Sequence, residues 1–422
     1  MSDAARTRAL RIAGTLSGLA AGAWLGAAEA PTKLVTIGLA PVVVSLVMVC
    51  GVFLGRWSLP ALLHGTAAVR EEVRRLPHLV VWAVIAGALW SVANTLTVYA
   101  IRDIGLSIAF PLWNANSLLG ILWGALFFRE LRGAGARGWL LVAGGALLML
   151  AGGTVLAVAG AETTTRQHAV RGVAAALAAG AMWGTMYIPY RKAYLTGMSP
   201  LAFVTFFTIG ELVTMSTLAI WLTGGVTPLV QALDNARPVL FWLLAGGLVW
   251  VVGDLFQQYA AKYLGISRGI PLSNTNQLWG LAWGTLVFGE MATHGASRLT
   301  VLLGSLVMAL GAACVAWAAP GSAEQDEWRA AARRESQRYA LDDAWVQQRL
   351  RGEAEMRAST RRRSLVDWTV AAGAVAVLAW AAANARAPEL AVSRGAALVL
   401  IASSLGLLVV AGGVLWRTTR LQ

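Results

Sequence analysis

The amino-acid sequence predicts an all-α integral membrane protein: two inverted five-helix repeats, ten transmembrane helices in all, followed by a C-terminal two-helix hairpin. Three observations lead to this fold class. Hydrophobic residues make up 57% of the 422 residues and charged residues only 13%, whereas soluble domains carry roughly 25% charged residues. Apolar runs of about 18 to 25 residues, long enough to cross a bilayer, separate the charged clusters. The third observation is an internal sequence repeat of about 160 residues.

Windows of about 20 apolar residues predict twelve membrane-spanning helices. They lie near 10–28, 35–55, 79–101, 106–128, 138–160, 169–189, 200–222, 239–261, 267–288, 298–319, 366–385 and 392–416. Of the 34 basic residues, 26 fall on the alternate segments that include the N-terminus. Basic residues favour the cytoplasmic side, so we expect both termini to be cytoplasmic and the chain to lie in the cell (inner) membrane. The net charge of +13 therefore reflects topology, and nucleic acid is not an expected partner.

The internal repeat becomes visible when the chain is shifted by 160 positions. Residues 111–116 (Pro-Leu-Trp-Asn-Ala-Asn) then align with 271–276 (Pro-Leu-Ser-Asn-Thr-Asn), and eleven of the 23 positions from 108 to 130 are identical. Each copy holds five predicted spans, and an odd number means that the second copy enters the membrane from the opposite face. Such inverted repeats are typical of transporters, whose cavity opens alternately to either side.

Four segments follow from the spans and the repeat. They are a first repeat, a second repeat, a cytosolic charged connector and a C-terminal transmembrane hairpin, at 1–160, 161–320, 321–365 and 366–422. The connector carries ten Arg against eight acidic residues, and its low content of Gly and Pro favours helix. We expect a solvated connector, although its Trp328, Tyr339 and Trp345 also suit contact with the membrane or another protein.

Matching motifs occur in both halves of the chain. Each half has Gly-x-x-Trp at Trp90 or Trp250, a later Gly-x-Ser, then Pro-Leu, and W-G-x-x-x-F-x-E ending at Glu130 or Glu290. With these motifs, residues 10–319 resemble the drug/metabolite transporter superfamily, and within it the glucose/ribose porter branch, a relative of the rhamnose-proton symporter. The resemblance implies a carrier for a monosaccharide. The C-terminal hairpin is atypical of that superfamily.

Candidate solute-binding residues lie in the fourth and ninth spans. They are polar or aromatic side chains at matching positions, mostly on one face of a helix: Asn116, Asn276, Trp113, Ser273, Trp123, Trp283, Asn114 and Asn274. The asparagines fall roughly 15 Å into a core about 30 Å thick, near the midplane. Amide groups donate and accept hydrogen bonds to sugar hydroxyls, and indole rings pack on the apolar sugar face. The same residues equally suit hydrogen bonds between helices and anchoring at the membrane interface.

Two acidic residues, Glu211 and Asp254, lie well inside predicted spans. A charged residue at the centre of a membrane helix costs about 2.5 to 3.5 kcal/mol on insertion scales, so each needs a partner or a cavity. One of them is a candidate for carrying a coupling proton, and the alternative for each is a static hydrogen bond to a neighbouring helix.

Charged residues near the predicted helix ends have more ordinary interpretations. We expect Glu130 and Glu290 to form surface pairs with nearby arginines, with a gating role as the alternative. Lys33 and Arg191, each two residues past a repeated proline, are expected to anchor the chain at the interface.

The leading hypothesis is a secondary-active or facilitative carrier for a small polar solute, a monosaccharide in particular, with proton coupling as an option. A drug, amine or metabolite exporter on the same scaffold is the alternative, and a membrane sensor or scaffold is a second one. We expect no enzyme activity, no metal and no cofactor, because the spans contain no nucleophile-base arrangement or metal-ligand spacing and no Walker motif occurs. The lipid bilayer is the expected environment, and a homodimer is left open.

Overall fold

The computed structural model describes residues 3–28, 30–31, 39–159, 166–289, 298–318, 322–350, 363–386 and 392–419. Every regular element within these ranges is helical, and they contain no strand. Two residues predicted at the membrane interface, Lys33 and Glu290, lie outside the described residues.

The described residues of the first half include six helices. They are α1 (Asp3–Ala27), α2 (Pro41–Leu63), α3 (Thr66–Arg75), α4 (His78–Asn114), α5 (Asn116–Phe128) and α6, which comprises Gly135–Trp139, a π-helical turn at Leu140–Gly144 and Gly145–Ala159.

The second half and the C-terminal region continue in the same way. Here the helices are α7 (Arg166–Leu195), α8 (Pro200–Thr223), α9 (Val226–Asn235), α10 (Leu240–Leu264), α11 (Ile266–Ser273), α12 (Asn276–Ala282, followed by a π-helical turn at Trp283–Val287), α13 (Arg298–Trp317), α14 (Ser322–Arg338), α15 (Asp343–Leu350), α16 (Leu365–Ala383) and α17 (Arg394–Thr419).

Seven helical segments among the described residues are long and apolar enough to cross a membrane. They are Pro41–Leu63, His78–Ala100, Gly135–Val155, Pro200–Thr223, Arg237–Leu264, Leu365–Ala383 and Arg394–Thr419, and two shorter apolar helices cover Leu112–Phe128 and Leu303–Trp317. This is the architecture of a helical membrane protein. The first and sixth predicted spans form α1 and α7, whose lower hydropathy reflects glycine and alanine in place of large aliphatic residues. Such small residues let helices pack closely inside a bundle.

One predicted boundary is wrong. The third span was expected to end near residue 101, but α4 continues without a break to Asn114. Arg102 and Asp103 interrupt the apolar run at this point. Asp103 is buried and accepts a hydrogen bond from Arg171 of α7 at 2.9 Å (Nη2 to Oδ1), so its charge is paired within the helix bundle. In the second half the corresponding position is broken, because Gly265 has a φ of +83° between α10 and α11.

The helix packing follows the internal repeat. Helix α4 of the first half packs along α7 of the second half. Their repeat counterparts, α10 and α1, pack along each other in the same way. The same holds for α5 on α7 and α12 on α1, and for α4 on α8 and α10 on α2. Helices α6 and α13, the last of each half, pack against each other. The sequence repeat therefore has a counterpart in the arrangement of the helices.

The charged segment after α13 is not a solvated connector. Helices α14 and α15 fold back onto one end of the bundle, where Arg268 donates to both carboxylate oxygens of Glu324 at 2.7 and 2.8 Å and to the Ala318 carbonyl at 2.7 Å. Trp345 is buried and belongs to the same apolar cluster as Leu79 and Met198. Arg349 of the same segment pairs with Glu72 of α3, and Trp345 supplies apolar contact.

The C-terminal helices lie along one side of the bundle. Helix α16 begins with a capping box of Ser364 and Asp367 and packs on α2, and α17 packs on α1. The indole Nε1 of Trp24 in α1 donates to the Ser404 carbonyl of α17 at 3.0 Å. The hairpin is therefore attached to the bundle mainly through α1 and α2 of the first half.

Candidate functional site

The two acids found inside predicted spans share one basic partner. Arg56 of α2 donates from Nη1 to Oε2 of Glu211 at 2.7 Å and from Nη2 to Oδ2 of Asp254 at 2.6 Å. All three side chains have no solvent exposure. Glu211 lies near the middle of α8 and Asp254 near the middle of α10, so this triad (Arg56, Glu211 and Asp254) joins both halves of the chain deep inside the bundle.

Polar and aromatic neighbours hold the triad. Glu211 Oε2 also accepts from the Thr208 hydroxyl at 2.9 Å, and Asp254 Oδ2 accepts from Gln258 Nε2 at 2.7 Å. The Arg56 guanidinium lies over the rings of Phe207 and Trp250, 4.4 and 5.0 Å from their centroids. A buried guanidinium with two carboxylates and two aromatic faces is well compensated.

The triad nevertheless leaves polar atoms unused. Glu211 Oε1, Asp254 Oδ1, Arg56 Nε and the Tyr190 hydroxyl are buried and have no hydrogen-bond partner in the described part of the chain. Buried polar groups are normally paired, so four orphaned atoms around one ion cluster mark a place prepared for a ligand or a proton. The two carboxylates and one guanidinium also leave the cluster one negative charge in excess.

Sequence reasoning missed Arg56. The predicted second span stops at residue 55, because a hydropathy window ends where a charge begins, whereas α2 continues to Leu63. The available signal was the presence of two unpaired acids in apolar spans. Each required a basic partner inside the membrane, but Arg11, Arg56, Arg102 and Arg171 all lie in or next to preceding spans, so the sequence did not single out Arg56.

The asparagines of the two repeated motifs come together. Asn274 Nδ2 donates to the Asn114 carbonyl at 3.1 Å and to Asn116 Oδ1 at 3.2 Å, and Asn116 Nδ2 donates to the Tyr187 hydroxyl at 3.4 Å. The amide Nδ2 of Asn114 and the Oδ1 of Asn276 are buried and unpartnered among the described residues. The hydrogen bonds join Asn114, Asn116 and Asn274, here called the asparagine network, which retains a free amide donor at Asn114. They do not include the side chain of Asn276, whose free acceptor lies in the same repeated motif.

Matching glycines position the asparagine network. A Cβ added to Gly26 of α1 would lie 2.6 Å from the Asn276 carbonyl oxygen, and one added to Gly184 of α7 would lie 2.7 Å from Leu119 Cβ and 3.2 Å from the Asn116 carbonyl oxygen. Glycine is needed here because α1 and α7 touch the backbone of the asparagine segments directly.

Three tyrosines on one face of α7 connect the two clusters. Tyr187 contacts the asparagine network, and its ring lies 5.9 Å from that of Tyr190 in an edge-on arrangement. Tyr194, one turn further along, donates to Gln258, which in turn donates to Asp254. The spacing i, i+3, i+7 puts all three on the same helix face. Sequence reasoning did not select these residues: Tyr190 and Tyr194 lie beyond the predicted end of the sixth span at 189, and Tyr187 has no aromatic counterpart in the first half at the repeat offset of 158, where Glu29 stands.

The other predicted binding residues are distributed around this centre. Ser273 accepts from Gln257 Nε2 at 2.6 Å beside Asn274. Trp113 is buried edge-on against Trp183, with ring centroids 6.0 Å apart. Trp123 lies against Phe127 at 5.4 Å. Trp283 packs in an apolar cluster with Leu400 of the C-terminal hairpin rather than with the asparagines. The indole N–H groups of Trp123 and Trp283 are buried without a partner in the described ranges.

Two residues that the sequence placed at the surface are buried. Glu130 forms an ion pair with Arg191 Nε at 2.8 Å and accepts the backbone N–H groups of Ile266 and Ser267 at 3.2 and 2.9 Å, capping the first turn of α11. Arg191 lies 4.1 Å from the ring centroid of Trp328 in α14. The predictions of a surface pair for Glu130 and an interface anchor for Arg191 are wrong, because folding of α14 covers this end of the bundle.

Comparisons with known proteins identify a fold but no family. No protein-family model matches the chain, and no curated protein sequence matches it. A solved structure described only as "Crystal structure of protein" is similar to it with a TM-score of 0.51 and 17% sequence identity. The similarity covers 72% of this chain and 96% of that chain, so the remainder of this chain extends beyond that structure. At this identity the likeness concerns the fold alone.

Proposed function

We propose that the protein is a secondary transporter in the inner membrane that moves a small polar solute, with a monosaccharide as the substrate class. The observation that carries the proposal is the bond from Asn274 to Asn114 and Asn116, which joins the matching motifs of the two halves at a buried position. A contact between repeats is where alternating access places a solute, because the contact rearranges as the halves exchange conformations.

The proposed topology is ten plus two spans with both termini in the cytoplasm. Two inverted five-helix units would be related by an axis in the membrane plane, which the exchange of helix partners supports. The segments around 64–77, 129–134, 190–199 and 262–268 meet α14 and α15 at one end of the bundle. That end is the proposed cytoplasmic side.

The chemistry of the asparagine network suits a sugar hydroxyl. A hydroxyl both donates and accepts; the network has a free Asn114 Nδ2 donor, and Asn276 of the second motif has a free Oδ1 acceptor. The rings of Trp113 and Trp183 offer apolar faces nearby. In this proposal Glu211 and Asp254 carry the coupling proton, and the tyrosines of α7 link their state to the solute site.

Counterflow tests this function without assuming an ion gradient. Proteoliposomes of the purified chain are preloaded in turn with unlabelled glucose, ribose and rhamnose and given the labelled sugar outside. We expect saturable accumulation of one of them. Absence of accumulation for all three, from protein shown to be folded, would remove the sugar assignment.

Asparagine variants test the site itself. Asn116→Ala and Asn276→Ala should each raise the half-saturating concentration about tenfold, the equivalent of one buried hydrogen bond worth about 1.4 kcal/mol. Asn384→Ala is the matched control, since Asn384 is exposed and donates only to the Trp380 carbonyl of its own helix. Unchanged half-saturation in both site variants would exclude the asparagine network.

A second candidate function is export of an organic cation. The observation in its favour is the excess negative charge of the triad next to the faces of Phe207 and Trp250, since acids and aromatic rings together bind ammonium groups. A panel of labelled ammonium and guanidinium compounds in the same proteoliposomes separates the two candidates. Saturable exchange of a cation with no exchange of sugars would favour the exporter.

A further inference from the structure

We infer that Arg56 limits the triad to one exchangeable proton, which Glu211 and Asp254 share. The triad thus binds a single proton. Two acids could bind two protons, but the positive charge of Arg56 lowers this number to one. The inference rests on the proposed proton coupling and adds its stoichiometry. The argument has three steps: charge, geometry and surroundings.

The charge of the cluster requires one further positive charge. Two carboxylates and one guanidinium sum to one negative charge, and none of the three side chains is exposed. Uncompensated charge is strongly disfavoured in a buried site. One proton makes the cluster neutral. A second proton would leave the guanidinium without any carboxylate partner. The cluster would then carry one uncompensated positive charge, which is disfavoured in the same way.

The geometry leaves room for that proton. Arg56 uses one oxygen of each acid, Glu211 Oε2 and Asp254 Oδ2, and these same oxygens accept from Thr208 and Gln258. The second oxygens, Oε1 and Oδ1, are buried and unpartnered in the described structure. A carboxylate oxygen that lacks any donor is the atom at which protonation relieves the electrostatic cost without breaking a bond.

The surroundings supply no competing ion. Helix α7 faces the triad with the hydroxyls of Tyr187, Tyr190 and Tyr194, which couple electrostatically to Asp254. Helix α4 contributes Ser91, whose hydroxyl donates to the Glu211 backbone carbonyl at 2.8 Å. Around the described triad, therefore, the groups that titrate are two acids, one arginine and these phenols. The phenols stay neutral at ordinary pH, so the acids and Arg56 decide the proton count.

The charge argument predicts the proton count of each variant. Glu211→Gln and Asp254→Asn each leave a neutral pair with Arg56, which needs no proton. Arg56→Gln leaves two uncompensated acids, which need two protons. The double variant with Arg56→Gln and Glu211→Gln has one remaining acid and should regain a count of one. A purely structural role for Arg56 predicts no such return.

Proton uptake by the purified protein measures these counts without a transported solute. Protein in lipid nanodiscs is acidified from about pH 9 to about pH 5, and the uptake is read with a soluble indicator dye; histidines and the N-terminus contribute equally in all variants. Wild type should take up one proton more than Glu211→Gln or Asp254→Asn. Arg56→Gln should take up two protons more than these same two variants. Glu71→Gln, at an exposed acid of α3, is the matched control and should equal wild type.

The outcomes separate the stoichiometry from the transport function. Equal uptake by wild type, Glu211→Gln and Asp254→Asn overturns the inference, as does a double variant that takes up no proton more than Glu211→Gln. If Arg56→Gln fails to fold, the double variant still decides, because its cluster keeps the wild-type net charge. Saturable sugar counterflow together with equal proton uptake by wild type and the acid variants would contradict only the inference. The predicted proton counts without any sugar counterflow would contradict only the proposed function.

Discussion

Buried charges in this protein pair with partners that lie far away in the sequence. The triad joins residues 155 and 198 positions apart, and Arg268 reaches Glu324 over 56 positions. Glu72 of α3 contacts Arg349 of α15 and accepts the Ser199 backbone N–H at 2.9 Å. At the scale of single residues, these pairs add specificity to the apolar contacts between the same segments, since an unpaired buried ion would be costly.

The Glu72–Arg349 pair gives docking of α15 a dependence on pH. Burial by itself would raise the pKa of Glu72, but the Arg349 guanidinium and the Ser199 N–H outweigh it and hold this pKa below its ordinary value. The stabilisation is therefore complete above the ordinary glutamate pKa of about 4.3 and is lost as pH falls through the lowered value. We expect Glu72→Gln to destabilise the protein by about 3 kcal/mol at neutral pH and by little in strong acid.

Thermal unfolding in detergent across the acid range measures this effect. The gap in melting temperature between wild type and Glu72→Gln should close on acidification. Glu71→Gln serves as the control, because Glu71 sits next to Glu72 but is exposed and pairs only with Arg75. A gap that is the same at all pH values would mean that the ion pair does not stabilise α15.

The sequence selected two of the three triad residues, Glu211 and Asp254, and three asparagines that contact one another. Asn114, Asn116 and Asn274 were selected because a repeated motif at the midplane is visible in one dimension. Arg56, Tyr190 and Tyr194 were not, since their importance arises only from contacts between helices. Arg56 looks like the end of a span until Glu211 and Asp254 are placed next to it.

Among the helices, α1 and α7 are the ones that support the asparagine network. Each presents glycines to the asparagine segment of the opposite repeat, and Gly26 and Gly184 do so at matching positions. Helices without bulky side chains can approach a neighbouring backbone closely enough to hold it. The low hydropathy of both helices is the sequence signature of this role.

Gly26→Ala should disturb the site from the α1 side. Its Cβ would lie 2.6 Å from the Asn276 carbonyl oxygen and from Trp279 Cβ, so the backbone must shift at a cost of about 1 to 3 kcal/mol. We expect a lower melting temperature and weaker solute affinity. Gly280→Ala is the control, because a Cβ there meets nothing within 4 Å. Equal behaviour of the two variants would contradict the close approach of α1.

Helix α14 should depend on one of its acids far more than on the other. Glu324→Ala leaves the buried Arg268 guanidinium without its carboxylate, at a cost of about 3 to 5 kcal/mol. Glu327→Ala, on the same helix, removes only pairs to the exposed Arg129 and Arg132 and should cost less than about 1 kcal/mol. Hydrogen exchange over 322–350 measures the release. Similar protection in both variants would show that α14 is held by apolar contacts instead.

At the scale of the whole molecule, hydropathy predicted a helical membrane protein and the repeat predicted two related halves, but neither predicted the closed end. Membrane spans can be predicted from sequence because the thickness of the bilayer sets the length of the apolar run that crosses it. Docking of α14 and α15 depends on matching Arg268 with Glu324 and Arg349 with Glu72, and charge patterns in one dimension do not encode such matches. The extra length of α4 was missed for the same reason, because Asp103 finds Arg171 only in three dimensions.

The C-terminal hairpin should be dispensable for transport. The asparagine network and the triad lie outside it, and its described contacts are to the flanks of α1, α2, α10 and α12. A chain without 366–422 should keep saturable counterflow, with a lower melting temperature because the Trp24 bond to Ser404 is lost. A chain without 323–422 also loses Glu324 and Arg349 and should fail to remain folded. Loss of counterflow in the first deletion, from folded protein, would favour a sensor or scaffold.

The triad also constrains the order in which the chain matures during synthesis. Arg56 is made 155 residues before Glu211 and 198 before Asp254. At about 5 to 20 residues per second, the arginine waits roughly 8 to 30 s before its first carboxylate emerges from the ribosome. During that interval the Arg56 side chain has neither of its carboxylate partners, so we expect the final packing of α2 to follow the synthesis of α8 and α10.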